Sequence, residues 1–242
     1  MKIFTTINPH GNTLTQLNAL STWSEKYEVY SVNRKDEIDK IRNIYENINF
    51  IEIEEDFSYK GKNLVKLDFI LEAIEKESDG ISAIINSDIV LSSELEIKIN
   101  QRYFTNGIFI GTRYEIDGDK KYPFIYGYDL FIFDSKYAKL FKNDKYVIGM
   151  PWWDYWVPIC ALKHRLNIYH IKDELIYHKT HKTNYEHKSW LEFGEYLYND
   201  IIKDTLYSDL SVKLEDFYKG VENGPLIVKK FIESKQINKS VI

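Results

Sequence analysis

The segment Asn86-Ser87-Asp88 carries the clearest chemical signal in this sequence. It directly follows the apolar run Ile81–Ile85, so a buried strand is expected to deliver Asn86 and Asp88 to its carboxyl end, on the same side of the strand. Oxygen ligands of this kind suit Mg²⁺ or Mn²⁺, and either cation can bridge the oxygens of a diphosphate. Taken alone, the same three residues are more typical of a strand that ends in an Asx turn, and only the surrounding elements favour a metal site.

The elements around this segment predict an α/β fold. Short β-type runs alternate with helical patterns in the first half of the chain, which favours βαβ units and a mostly parallel sheet. In the middle, Gly107–Ile116 and Phe124–Phe133 flank the turn signal Asp117-Gly118-Asp119 and predict an antiparallel insertion. A helix is expected over 157–166, with Pro158 in its first turn. The prediction is a mixed, mostly parallel sheet flanked by helices.

Composition narrows the class of protein. The 242 residues are 44% hydrophobic and 29% charged, which is typical of a globular chain, and the formal net charge of -5 disfavours bulk nucleic-acid binding. The single cysteine, Cys160, excludes a disulfide framework. No long apolar segment is present, so we expect a cytoplasmic protein, with peripheral membrane contact left open.

We expect a main domain over 1–190 and a C-terminal helical extension over 191–242, packed on the same domain.

The order of these features resembles the GT-A-fold glycosyltransferases, which bind a nucleotide-sugar diphosphate through a divalent cation at a DxD element. Here Asn86 stands in place of the first Asp, so Asp88 is expected to be the main metal ligand of this element. The segment 127–134, with Tyr128 and Asp129, is similar to the strand that lines the acceptor side in that family. The resemblance covers about residues 1–190 and implies a GT-A-like fold, a nucleotide-sugar donor, with a UDP-sugar as the first expectation, and Mn²⁺ or Mg²⁺.

Asp154 lies in the segment Met150-Pro151-Trp152-Trp153-Asp154-Tyr155-Trp156, which is similar to the family's acidic position at the start of a helix. In the family this carboxylate faces the acceptor hydroxyl, and an inverting transfer needs a general base there. Trp152, Trp153 and Trp156 are predicted to form a platform for a sugar ring. The alternative is that Asp154 only caps a helix and the tryptophans belong to the core.

Two late histidines, His178 and His181, match the place where many GT-A enzymes bring a histidine beside the metal and the diphosphate. Neutral imidazole is a competent ligand, and Lys179 or Lys182 would balance phosphate charge. The alternative is a solvated polar loop. The expected metal ligands are therefore Asp88, His178 and His181.

Polar residues near the ends of the first strands, or at the start of the helix before Asp88, are predicted to contact the nucleotide. These are Thr6, Asn8, Asn33, Arg34, Lys62 and Lys66. Each one is equally compatible with a solvated loop.

The function predicted from these observations is transfer of a sugar from a nucleotide-sugar to a hydroxyl of a glycan, a lipid-linked glycan or a modified base. Two other classes stay open. One is a noncatalytic nucleotide- or glycan-binding module, which would explain Asn86 in place of an aspartate. The other is a nucleotidyltransferase, although the segment 7–12 lacks the glycine-rich phosphate loop that such enzymes use.

Overall fold

The structure is a computed structural model of the chain. It describes residues 1–54, 57–59, 62–95, 101–181, 187–201, 207–208, 210, 214–215, 218 and 223–235. The strands are β1 (Lys2–Thr5), β2 (Glu28–Arg34), β3 (Asn49–Ile53), β4 (Phe57–Tyr59), β5 (Lys62–Leu64), β6 (Ile81–Ile85), β7 (Ile89–Leu91), β8 (Gly107–Gly111), β9 (Tyr114–Asp117), β10 (Lys120–Pro123), β11 (Leu130–Asp134), β12 (Asn167–Ile171) and β13 (Ile176–Lys179). The α-helices are α1 (Thr13–Ser24), α2 (Lys35–Ile41), α3 (Leu67–Glu77), α4 (Ala138–Phe141), α5 (Trp153–Lys163), α6 (His187–Ile201) and α7 (Gly224–Lys235).

The main sheet has the strand order β12-β8-β11-β6-β1-β2-β3. Neighbouring strands pair in parallel except for β11, which runs antiparallel to both β6 and β8. The carboxyl ends of β1, β2 and β6 therefore meet at the same edge as the amino end of β11. This edge, which we call the ligand edge, is where open α/β sheets bind ligands.

Helices cover both faces of the main sheet, so its strands are apolar at successive positions. Along β6, Ile84 packs in one hydrophobic cluster while Ala83 and Ile85 pack in the other, and β11 alternates in the same way. A strand buried on both faces reads as a continuous apolar run, which is why the sequence predicted β6 correctly. Helix α3 packs on one face through Leu67, Ile70, Leu71 and Ile74, at the spacing of one helical stripe.

A smaller sheet with the order β10-β9-β13-β7 stands beside the ligand edge. The predicted antiparallel insertion is present, since β9 and β10 form a hairpin around Asp117-Gly118-Asp119. Neither predicted segment is a single continuous strand, however. Gly107–Ile116 holds both β8 and β9, and Phe124–Phe133 begins after β10 has ended and becomes a strand only at Leu130, in β11. The chain crosses from the main sheet to the smaller one at Thr112 and Arg113.

Helix α5 begins earlier than the sequence predicted. It starts at Trp153 rather than at residue 157, so Pro158 lies inside the helix and has no N–H for the carbonyl of Asp154. Nearly every residue from Trp153 to Ala161 is buried, which leaves no amphipathic period for a sequence pattern to detect.

The C-terminal helices join the core of the main sheet. Phe193, Leu197 and Ile201 of α6 and Val228 and Ile232 of α7 belong to the same hydrophobic cluster as α3 and α5. The predicted boundary after residue 190 falls within α6, whose helix runs across it. Among the described residues, none of the helices combines the length and the apolar character needed to cross a membrane.

Candidate active site

Three polar segments meet at the ligand edge of the sheet. Asn86-Ser87-Asp88 follows β6, and Asp129 lies just before β11, whose residue Leu130 pairs with Ile85. In the smaller sheet, His178 of β13 stands opposite Ile89 of β7. The pairing of β13 with β7 therefore brings His178 next to Asp88, although 90 residues of chain separate them.

Asp88, His178 and His181 form a compact cluster of potential metal ligands. The Asp88 Oδ2 atom lies 3.4 Å from His178 Nε2 and 3.3 Å from His181 Nε2. The Asp88 side chain is 30% exposed, so the cluster is open to a ligand. Burial alone would raise the pKa of Asp88, but hydrogen bonds from the two histidines hold that pKa far below its ordinary value. The structure thus brings together the three residues that the sequence analysis selected as metal ligands.

His178 is held from behind by a buried carboxylate. Its Nδ1 atom lies 2.9 Å from Glu115 Oε2, and the two residues are register partners in the parallel strands β13 and β9. Burial lowers the pKa of His178, but hydrogen bonds with Asp88 and Glu115 outweigh it and raise the pKa to about 9. Because an ionised carboxylate only accepts hydrogen bonds, both ring nitrogens of the protonated imidazole are donors, Nδ1 toward Glu115 and Nε2 toward Asp88. A cation bound at Nε2 would displace the proton there and leave the proton on Nδ1. A carboxylate behind an imidazole is the usual support of a metal-binding histidine.

The geometry of this cluster fits one divalent cation. Ligand atoms about 2.0–2.2 Å from a single cation lie about 3.0–3.5 Å apart, which is the separation between Asp88 Oδ2 and each imidazole nitrogen. The potential ligand atoms of all three residues lie within 4.8 Å of one another. Two imidazoles and a carboxylate are a poor ligand set for Mg²⁺, which prefers oxygen ligands throughout.

Arg113 and Asp129 continue the polar network toward β11. The Arg113 guanidinium donates to Glu115 Oε1 through Nε at 2.7 Å and to Asp129 Oδ1 through Nη1 at 2.5 Å. Asn86 Nδ2 donates to the same Asp129 oxygen at 3.3 Å. Asn86 is thus tied to an aspartate, and none of the described contacts places it in the ligand cluster of Asp88.

Asp154 occupies the first turn of α5, beside the segment that leads into β11. Its Oδ2 atom accepts a hydrogen bond from the backbone N–H of Tyr128 at 3.1 Å. Gly127 has φ 65°, and a Cβ atom there would collide with the same carboxylate oxygen, so glycine is required on both counts. Burial, helped by the charge of Asp129, raises the pKa of Asp154 to about 7. A carboxyl group with this pKa is suited to general acid–base chemistry near neutral pH.

The tryptophan platform predicted from the sequence is wrong. Trp152 is fully buried and donates to the Trp190 carbonyl at 2.8 Å, and Trp153 packs against Phe131 with 3% exposure. Trp156 is equally enclosed and donates to the Phe141 carbonyl. These rings present no open face to a sugar because α5 inserts into the core. Trp152, at φ 80°, instead forms the strained left-handed turn that starts α5 just before Asp154.

Asn33 is also corrected by the structure. It is fully buried and donates to the Ile7 carbonyl at 2.9 Å and to Glu37 Oε2 at 3.0 Å, so it joins β1, β2 and α2 and has no surface for a nucleotide. Tyr128, predicted to bind substrate, has a buried ring, and its backbone N–H is the group that contacts Asp154.

The other predicted nucleotide contacts are spread over several elements, and among the described contacts Asn8 is the one that is joined to the Asp88 segment. Gln16 Oε1 accepts from the Asn8 backbone N–H at 2.9 Å and from Ser87 Oγ at 2.8 Å. Thr6 and Asn8 follow β1, and Arg34 ends β2 with its Nε atom 2.8 Å from Asp36 Oδ1. Lys66 immediately precedes α3. The side chain of Lys62 lies outside the described part of the structure, as does all of Lys182.

Three functional candidates escaped the sequence analysis. Glu115 and Arg113 lie in the network described above, and Lys229 of α7 is a buried lysine that donates to the Phe124 carbonyl at 3.3 Å. The alternation Arg113-Tyr114-Glu115 is a detectable signal, since it places two opposite charges on one face of a strand. Lys229 has no such signal, because its neighbours come from a segment about a hundred residues earlier.

Comparisons with known proteins bear on the fold alone. No protein-family model matches the sequence, and a search of curated proteins finds no match. Among solved structures, residues 1–349 of S. aureus TarS in complex with UDP-GlcNAc match with a TM-score of 0.53 and 15% identity, over 84% of this chain and 66% of that chain. The same TarS fragment, in a second crystal structure, matches with a TM-score of 0.52, 15% identity and coverages of 84% and 65%. This chain thus spans slightly less than two thirds of those structures. The GT-A-like α/β fold predicted from the sequence is confirmed.

Proposed function

We propose that this protein is a glycosyltransferase that moves a sugar from a nucleotide-sugar to an acceptor hydroxyl, with a divalent cation held by Asp88, His178 and His181. The observation that carries the proposal is the convergence of these three side chains at the ligand edge of a GT-A-like sheet. A carboxylate and two imidazoles whose ligand atoms lie within 4.8 Å of one another, with Glu115 behind one of the imidazoles, support a metal site.

A UDP-sugar is the donor that we propose to test first. The similar structure of TarS 1–349 is a complex with UDP-GlcNAc, so UDP-GlcNAc is a natural probe for the same edge of this sheet. The cation supplies positive charge that neutralises the departing diphosphate. Mn²⁺ is the metal that we propose to test first, because Mg²⁺ prefers oxygen ligands throughout and two of the three ligands are imidazoles.

The side chains of this protein would bind the cation and accept the proton of the acceptor. Asp88 and the two histidines would hold the cation at the ligand edge, and Asp154 would face the acceptor hydroxyl. In an inverting transfer, the acceptor oxygen bonds to the anomeric carbon while the bond from that carbon to the diphosphate oxygen breaks. The acceptor proton passes to Asp154, whose pKa of about 7 leaves a substantial ionised fraction at neutral pH.

A nucleotide-sugar screen tests this function. Purified protein is mixed with each nucleotide-sugar, with and without Mn²⁺, and the melting temperature and the release of free nucleotide are measured. We expect one donor to raise the melting temperature in the presence of Mn²⁺ and to release nucleotide, faster when hydroxyl acceptors are added. Binding without any release, with every acceptor class tried, would instead support a noncatalytic binding module. No Mn²⁺-dependent response to any nucleotide-sugar would contradict the proposal.

A further inference from the structure

Arg113 occupies the point where the chain passes from the main sheet to the smaller one. It lies between the last residue of β8, Gly111, and the first residue of β9, Tyr114. Its side chain is 16% exposed, and the guanidinium stacks on the ring of Phe124, with its central carbon 3.8 Å from the ring centroid. The Phe124 backbone N–H also donates to the Arg113 carbonyl at 2.9 Å. Phe124 therefore contacts Arg113 twice, once at the guanidinium and once at the backbone.

The guanidinium pairs with two carboxylates that belong to different parts of the candidate site. Glu115 Oε1 accepts from Nε, and Asp129 Oδ1 accepts from Nη1. Both carboxylate side chains are less than 10% exposed. A buried carboxylate without a counter-charge is costly, so the single arginine stabilises both.

Each carboxylate supports a different functional group. Glu115 uses its other oxygen, Oε2, to hold His178 Nδ1, and so orients a proposed metal ligand. Asp129 accepts from Asn86 and immediately follows Tyr128, whose backbone N–H holds Asp154. Asp129 Oδ2 is buried with no hydrogen-bond partner among the described residues, so Arg113 supplies the main anchor of this carboxylate.

We propose that Arg113 is a positioning residue that fixes the distance and orientation between the metal ligand His178 and the acceptor-side carboxylate Asp154. It acts on His178 through Glu115 and on Asp154 through Asp129. This role rests on the proposed function. It explains why a planar donor with several N–H groups stands here. A guanidinium reaches two carboxylates from one plane and stacks on Phe124, whereas an ammonium concentrates its charge at one point.

The substitution Arg113→Lys keeps the positive charge and removes the planar fork. We expect two separate losses: Mn²⁺ affinity, measured by calorimetry without donor, falls roughly 10-fold, and kcat at saturating Mn²⁺ and donor also falls roughly 10-fold. Glu115→Gln is expected to weaken Mn²⁺ binding by a larger factor than it lowers kcat, and Asp129→Asn to do the reverse. Arg42→Lys is the matched control, because Arg42 also lies over an aromatic ring, that of Phe50, away from the site.

The outcomes separate this inference from the proposed function. A wild-type protein without Mn²⁺-dependent turnover would overturn both. If the wild type is active and Arg113→Lys changes only one of the two quantities, or neither more than Arg42→Lys does, the positioning role alone is wrong. A fall in melting temperature with both quantities unchanged would show that Arg113 only stabilises the fold.

A second set of variants keeps the inference testable if Arg113→Lys does not fold. The single variants Glu115→Gln and Asp129→Asn are then compared with their double variant. Coupling through the shared guanidinium predicts that their effects on Mn²⁺ affinity are not additive. Additive effects would overturn the positioning role.

Discussion

The substitution Asp154→Asn separates the charge of this side chain from its shape. The amide has nearly the same size as the carboxyl group, and its oxygen can still accept the hydrogen bond from the Tyr128 backbone N–H. It also tolerates the close approach of Gly127, which leaves no room for a larger group. The variant should therefore fold, and differences from the wild type report on the ionised carboxylate.

The raised pKa of Asp154 gives a stability prediction with a definite sign. Folding shifts this pKa from the ordinary 3.8 to about 7, because burial disfavours the charged form. The stability that the neutral carboxyl contributes is complete below the unfolded pKa and is lost as the pH rises through about 7. Three pKa units at about 1.36 kcal/mol each limit the effect to about 4 kcal/mol, and water at the partly exposed side chain reduces it.

Denaturant unfolding of the wild type and the variant between about pH 4 and pH 8 measures this effect. The wild type should lose free energy of unfolding across that range relative to Asp154→Asn, and the variant should be at least as stable at the upper end. The matched control is Asp119→Asn, at an exposed turn, which should follow the wild type. Parallel curves for Asp154→Asn and the wild type would refute the assignment of a raised pKa.

Turnover tests the role of the same carboxylate in chemistry. If Asp154 accepts the proton of the acceptor, kcat/KM should rise as the pH increases through about 7, and Asp154→Asn should lower kcat by roughly 100-fold or more. Donor affinity, measured by calorimetry, should change little, because a base acts in the transition state. A variant that turns over near the wild-type rate would show that Asp154 only holds the start of α5.

Three further substitutions test neighbouring parts of the account. Gly127→Ala should lower the melting temperature and turnover more than Gly118→Ala, because both have positive φ but only Gly127 meets a carboxylate; equal losses would contradict this contact. Trp152→Phe should lower the free energy of unfolding by about 1–3 kcal/mol, because the hydrogen bond to the Trp190 carbonyl is lost, and should leave donor affinity unchanged. A loss of donor affinity would show that Trp152 does contact the sugar. His178→Ala should weaken Mn²⁺ binding by roughly 10-fold or more, measured by calorimetry, while the exposed control His164→Ala should not.

The sequence predicted those parts of the site that follow from local patterns. An apolar run before Asn86-Ser87-Asp88 is enough to place Asp88 at a strand end, because β6 is buried on both faces. The charge alternation at Arg113 and Glu115 is visible in the sequence, but the contact of Glu115 with His178 is not, because it depends on the pairing of strands 63 residues apart. The tryptophans failed for a different reason. An aromatic segment that is buried all round has no periodicity to distinguish a core from an open surface.

The central claim is that Asp88 anchors a cation on which donor binding depends. Isothermal titration of the donor identified in the screen, with and without Mn²⁺, tests it in the wild type, in Asp88→Ala and in the control Asp119→Ala. Asp88 is partly exposed and adds little to the core, so Asp88→Ala should fold. The account predicts Mn²⁺-dependent donor binding in the wild type and the control, and none in Asp88→Ala. Mn²⁺-dependent binding of unchanged affinity in Asp88→Ala would contradict it.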